Sequence, residues 1–118
     1  MTAATRGMAA QFLFIAMALE FGWNPQIPAC DDLEYDVLIE ESDRSFTRVQ
    51  VKRIYEKDGH PTVNMTRQDG SRYERNDAQW LAAVDMRAHR FYLIPWHEVY
   101  TVTRKRITDE HAHYAYTL

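Results

Sequence analysis

Three side chains in two short stretches could do chemistry together: Asp36 in YDVLIE, Tyr35 to Glu40, and Gln50 and Lys52 in RVQVKRI, Arg48 to Ile54. Alternate residues of a strand face opposite sides of a sheet, so Val49 and Val51 share one face while Arg48, Gln50 and Lys52 share the other. A hairpin joining the two stretches brings Asp36, a carboxylate inside an otherwise apolar run, beside Gln50. An aspartate, an amide oxygen and a neighbouring backbone carbonyl are hard oxygen donors suited to magnesium or manganese. A nearby lysine can orient or deprotonate a water, which completes a constellation able to cleave a phosphodiester. Asp36 and Lys52 by themselves are more often an ordinary cross-strand ion pair. The order of the elements around them has to decide.

Those elements begin with an apolar segment, AAQFLFIAMALEF, Ala9 to Phe21, whose Phe12, Ile15 and Leu19, and Leu13 and Met17, fall at helical spacings. Gly22 stops the predicted helix. Apolar residues nearly encircle it, so one side is expected to meet a sheet and another a second subunit or layer. Pro25 and Pro28 make an extended connection, and the acidic turn DDLE, Asp31 to Glu34, leads into the strand Tyr35 to Glu40. After the turn ESDRS comes an antiparallel strand, Phe46 to Tyr55. KDGHP turns again, TVNMTR is a third strand, and QDGS another turn. WLAAVD, MRAHR and FYLIP read as strand, turn and strand, although Ala78 to Val84 also fits a short helix. The expected fold is α/β or α+β, a mixed or mostly antiparallel sheet with an N-terminal helix packed on it.

With 118 residues, 46% of them hydrophobic and 26% charged, the chain has material for one compact domain and one core. A formal net charge of -3 gives no global attraction for a polyanion, so any nucleic acid has to be held by a local basic patch. The single cysteine, Cys30, excludes an internal disulfide and suits a reducing compartment, so a cytoplasmic protein is expected. The apolar run near the N-terminus is broken by Gln11 and bounded by Glu20, and falls short of the roughly 20 residues of a membrane span. His111 and His113 in HAHYAYTL alternate as on a terminal strand, but an exposed tail explains them better than a zinc site. His60 and His97 read as turn and surface residues, Cys30 as a passive thiol, and Trp23, Trp80 and Trp96 as packing or subunit-contact residues.

The succession of elements resembles the PD-(D/E)xK, restriction-endonuclease-like superfamily, most closely its small members related to group I intron homing endonucleases. RGMAAQFLFIAMALEFGWNPQIP corresponds to the opening helix and its proline-containing exit, YDVLIE to the Tyr-Asp strand, and RVQVK to the strand carrying (E/Q)-x-K. A distal AAVD…FYLIPWHEV resembles the last hairpin. The resemblance covers about residues 6–100 of a single domain, 1–118, with 101–118 as a C-terminal extension.

The resemblance implies that Asp36 is the principal metal ligand, that Gln50 gives its side-chain oxygen where an acidic ligand is usual, and that the Val51 carbonyl completes the shell. Lys52 then positions the attacking water and stabilises charge developing on the phosphate. Where the helix often carries glutamate this chain has Gln11, a lost negative charge beside the metal. Arg104, Lys105 and Arg106 become a phosphate clamp, with Arg48, Arg53 and Lys57 near the site. The implied function is a Mg²⁺- or Mn²⁺-dependent DNA endonuclease acting as a homodimer or higher homo-oligomer, away from membranes. Two other readings stay open on the sequence: a nuclease-fold DNA-binding or structural protein with weakened chemistry, and a protein-interaction module, which the acidic net charge supports.

Overall fold

The structure, a computed structural model, describes residues 1–30 and 33–118; Asp31 and Asp32 of the expected acidic turn lie outside the described residues. Helix α1 spans Ala3–Glu20, starting earlier than the apolar periodicity alone suggests. Its beginning is fixed by Thr2, whose hydroxyl accepts a hydrogen bond from the Thr5 amide at 3.1 Å and so satisfies one donor of the first turn. At the other end Gly22 takes φ +82°, and the amides of Gly22 and Trp23 donate to the Leu19 and Ala18 carbonyls at 3.0 and 2.9 Å. This closing motif needs a left-handed residue, which glycine supplies without strain.

Six strands form the main sheet in the order β1-β2-β3-β6-β7-β9. They are β1 (Asn24–Gln26), β2 (Val37–Glu40), β3 (Phe46–Arg53), β6 (Trp80–Asp85), β7 (Arg90–Pro95) and β9 (Ala115–Thr117). Every neighbouring pair is antiparallel except β3 with β6, where Val49 pairs with Trp80 and Arg53 with Val84. Parallel neighbours need a crossover. Here it carries β4 (Tyr55–Lys57) and β5 (His60–Asn64), which join β8 (Arg104–Arg106) in a separate three-stranded sheet. The β4–β5 turn is Asp58-Gly59, both with positive φ (52° and 77°), the hairpin chemistry that matches strand twist.

Two apolar clusters follow from the alternation. Ala10, Phe14 and Met17 of α1 pack on Val37, Val49, Val51, Ala82, Val84 and Phe91 from one face of the main sheet. On the other face Leu81, Ala83 and Ile94 pack with Val63 and Met65 of the crossover, Tyr73, Trp96, Val99 and Ile107. Trp23 and Trp80 flank the first cluster and Trp96 belongs to the second.

Some expectations need correction. The strand read from Tyr35 begins at Val37, so Asp36 sits just outside it; β3 ends at Arg53 because the chain passes at Ile54 into β4; and the third strand is His60–Asn64. Ala78 to Val84 is strand from Trp80 on, not helix. The end of the chain is not an exposed tail. Asp109–Tyr114 forms a 3-10 helix, β9 closes the edge of the main sheet, and His111 is buried, its Nδ1 accepting from the Thr108 amide at 3.0 Å. On α1 the face away from the sheet keeps Met8, Phe12 and Leu19 more than half exposed.

Candidate active site

The candidate site lies where β2 stops short of the end of β3. In their antiparallel pairing Val37 is opposite Val49, and the Asp36 amide donates to the Val49 carbonyl at 2.9 Å. Odd-numbered residues of β3 therefore aim their backbone groups toward β2. Beyond Val49 no β2 residue remains to meet them, and Val51 would leave a bare amide at a half-buried fork. The Asp36 carboxylate fills that role: its Oδ2 accepts from the Val51 amide and from Gln50 Nε2, both at 2.9 Å. Gln50 Nε2 also reaches the Val51 carbonyl at 3.4 Å. Gln50 is a buried polar side chain on the face opposite the Val49 and Val51 side chains.

Lys52 follows on that same face. Its Nζ donates to the Thr66 carbonyl at 3.1 Å and lies 5.1 Å from the centre of the Tyr73 ring. The Arg67 guanidinium sits over the same ring at 5.9 Å. Arg67 is held by two carboxylates, with Nη2 donating to Asp77 Oδ2 at 2.7 Å and Nε 3.0 Å from Glu34 Oε2 without the alignment of a hydrogen bond. Thr66, Arg67, Tyr73 and Asp77 thus build the wall that holds Lys52. Sequence reasoning did not find them. The one available signal was Tyr73, a lone aromatic inside the polar stretch TRQDGSRYERND.

Burial sets the electrostatics. It raises the Asp36 pKa above 3.8, although the Val51 amide and Lys52 both pull it down. Burial likewise lowers Lys52 below 10.5 against the opposing pull of Asp36. The Tyr73 hydroxyl is pushed up, by burial first and then by the charge of Asp36. Asp36 and Lys52 thus share surroundings that disfavour the charge of each, while each draws the other toward its charged form. Because folding raises the Asp36 pKa, its contribution to stability is fully present below 3.8 and is lost as pH rises through its folded value. Asp36→Asn is therefore expected to melt above the wild type at pH 7 in chelator, with the gap closing as pH falls toward 3.8. Paired thermal melts across pH check this; a variant that melts lower throughout would show that the hydrogen bonds outweigh the burial.

The residues present fit a divalent ion held lightly. Among the described residues Asp36 Oδ1 has no hydrogen-bond partner, and the Gln50 amide links Oδ2 of the same carboxylate to the Val51 carbonyl. The Gln50 amide is turned to donate, so a ligand role requires it to rotate and bring Oε1 forward. No group of three or more His, Cys, Asp or Glu side chains is gathered for a metal among the described residues. One carboxylate with neutral oxygens suits Mg²⁺, which keeps several waters and takes further ligands from substrate phosphates.

The remaining candidates lie outside the fork. Gln11 is half-buried on α1, next to Ala10, and makes no hydrogen bond to Asp36, Gln50 or Lys52. Arg48 is at the other end of β3, its Nη2 donating to the Asn76 carbonyl at 3.1 Å, and it lines a small pocket with Arg75 and His97. Arg53 ends β3, Lys57 ends β4, and Arg104, Lys105 and Arg106 make up β8. A cleft of about 620 Å³ lies elsewhere, on the helix side of the sheet among Phe14, Trp23, Ile39, Val49, Trp80 and Leu93. It does not include Asp36, Gln50 or Lys52.

Comparison with known proteins finds a family and a related solved structure. The family model for PD-(D/E)XK endonucleases matches residues 1–115. The chain is similar to the solved structure of a bacterial homing endonuclease, I-Ssp6803I, with 25% sequence identity and a TM-score of 0.79, over 92% of this chain and 80% of that one. No curated protein matches it. No helix among the described residues is long and apolar enough to cross a membrane.

Proposed function

From the premise that this chain belongs to the PD-(D/E)XK endonuclease family, we propose that it is a divalent-metal-dependent DNA endonuclease that hydrolyses a phosphodiester by in-line attack of water. The observation that carries this reading is the fork at the end of β3, where Asp36, Gln50, the Val51 carbonyl and Lys52 meet on one side. A bound Mg²⁺ or Mn²⁺ ion would supply positive charge that acidifies the attacking water and neutralises the phosphate oxygens. Asp36 Oδ1, Gln50 Oε1 and the Val51 carbonyl would hold it. Lys52, fixed between the Thr66 carbonyl and the Tyr73 ring, orients the water and stays close to the charge that builds on the phosphate. The Val51 amide keeps the Asp36 carboxylate aimed while the reaction proceeds. Incubating the protein with linear, supercoiled and branched DNA in Mg²⁺, Mn²⁺ or chelator tests the proposal: cutting that requires the ion supports it.

Two sites are needed for two strands, and a symmetric homodimer provides them most simply. Met8, Phe12 and Leu19, each more than half exposed, and the half-buried Ile15 at the edge of the core follow one another at the spacings of a helical seam. We infer that this seam contributes to self-association, and expect light scattering at micromolar concentration to report a species of at least twice the 13.9 kDa chain.

Gln11 favours a second reading, a nuclease-fold DNA-binding protein whose cleavage is weak or lost. Gln11→Glu, which restores the carboxylate that the family resemblance implies for the helix, is expected to tighten Mg²⁺ or Mn²⁺ binding on the order of tenfold. Calorimetry on the two proteins reads this directly. Unchanged or weaker binding would mean that Gln11 serves the site as a neutral group.

A further inference from the structure

The three-stranded sheet β4-β5-β8 presents two unlike faces. Tyr55 pairs with Thr62 and Lys57 with His60, while Thr62 pairs with Arg106 and Asn64 with Arg104. Residues paired across antiparallel strands share a face, so Tyr55, Lys57, His60, Thr62, Asn64, Arg104 and Arg106 all project to one side. Val63, fully buried in the core, projects to the other, together with Glu56 and Lys105. The first face carries three full positive charges and a histidine but no acid; of the hairpin's two acids, Glu56 is on the other face and Asp58 is in the turn. Among the described residues the only ion pairs belong to Arg67, so Lys57, Arg104 and Arg106 have no carboxylate within reach. A run of charge along one helix or loop is ordinarily just solvated. Here the cations come from strands distant in sequence and are gathered only by register.

The same sheet is anchored to the candidate site. Past β5, the Met65 amide donates to the Thr103 carbonyl at 2.8 Å, and the next residue, Thr66, accepts the Lys52 ammonium at 3.1 Å. We propose that this face lies in the major groove of duplex DNA beside the scissile phosphate and reads base edges there, which makes it the specificity surface of the enzyme. The inference rests on the endonuclease reading above and deepens it. Strands can enter a major groove, and an arginine fork can donate two hydrogen bonds to one guanine, where a lysine is only a point charge. A strand rises about 3.3 Å per residue and a duplex about 3.4 Å per base pair, so distance along β5 maps onto the DNA. Arg104, level with Asn64, falls about 2 base pairs from the cut. Arg106, level with Thr62, falls about 4 base pairs away, and Lys57 with His60 about 6.

The test uses the full chain and a pool of randomised 40-base-pair duplexes, bound in Ca²⁺ and sequenced after retention. The wild type should enrich a motif, and Arg104→Ala and Arg106→Ala should each flatten a different position of it, with discrimination there falling about tenfold or more. Arg104→Lys, which keeps the charge and removes only the fork, should flatten the same position as Arg104→Ala. Retention that weakens equally for all sequences, with a shallower salt dependence, would overturn the proposal by showing phosphate contacts only. A wild type that enriches no motif would overturn it as well. The readout is separate from cleavage: it scores which duplexes are retained in Ca²⁺ and not whether they are cut, so a failed nuclease reading and a failed groove reading give different results.

Discussion

Asp36→Ala and Lys52→Ala are each expected to remove metal-dependent DNA cleavage, by at least about 10²- to 10³-fold, the scale set by loss of one preorganised electrostatic group. The two losses should differ in kind. Asp36 is the carboxylate with a free oxygen at the fork, and its removal also strips the acceptor from the Val51 amide and from Gln50. Metal binding should go with it. Lys52 contributes charge rather than an oxygen, and Lys52→Ala leaves the Asp36 hydrogen bonds in place, so the ion should still bind while turnover stops. Nicking of supercoiled DNA measured beside calorimetric titration with Mn²⁺ separates these outcomes. Cleavage that survives both substitutions would remove the site assignment while leaving the fold untouched.

Phe91→Ala is expected to have the largest effect on stability, about 3–5 kcal/mol. Phe91 is fully buried, and its ring centre lies 4.9 Å from that of Phe14 in an edge-on contact and 5.1 Å from that of Tyr116 in a stacked one. Trp23 and Phe21 close the same cluster at 5.8 and 6.1 Å. One substitution therefore loosens the helix, the central sheet and the edge strand together. A small domain has only about 5–15 kcal/mol in total, so the variant should be close to unfolding. Urea titration measures this against Phe46→Ala, which removes a ring already 47% exposed and should cost less than about 1 kcal/mol.

Much of the candidate site's geometry was legible because it is local. Alternation along β3 is enough to separate Gln50 and Lys52 from Val49 and Val51, and one hairpin is enough to bring in Asp36. The family resemblance read from the order of helix, Tyr-Asp strand and RVQVK agrees with the match over residues 1–115. What escaped came from non-local pairing or from caps. The early start of α1 depends on Thr2, a single hydroxyl ahead of any apolar period. Thr66, Arg67 and Tyr73 reach Lys52 through the crossover between two parallel strands, and no spacing in the sequence announces that return. The basic triplet shows the same limit. Arg104 and Arg106 face away from Lys105 only because β8 pairs with β5 in one register. His111 looked like part of a polar tail because nothing in HAHYAYTL signals that Thr108 would cap a 3-10 turn and draw the ring inward.

The aromatic cluster around Phe91 has a consequence for how the protein is made. Helix α1 is synthesised before the sheet it packs on, with apolar side chains on nearly every side, yet Phe14 and Phe21 meet Phe91 only after roughly 70 further residues, and Tyr116 later still. At about 5–20 residues per second the helix waits several seconds or more as an unpaired greasy rod outside the ribosome. The parallel β3–β6 pairing cannot form early either, since its second strand begins at Trp80. Such long-range closures are slow to form. Yield in cells should therefore depend on holdase chaperones and growth temperature far more than the equilibrium stability of the finished domain would suggest.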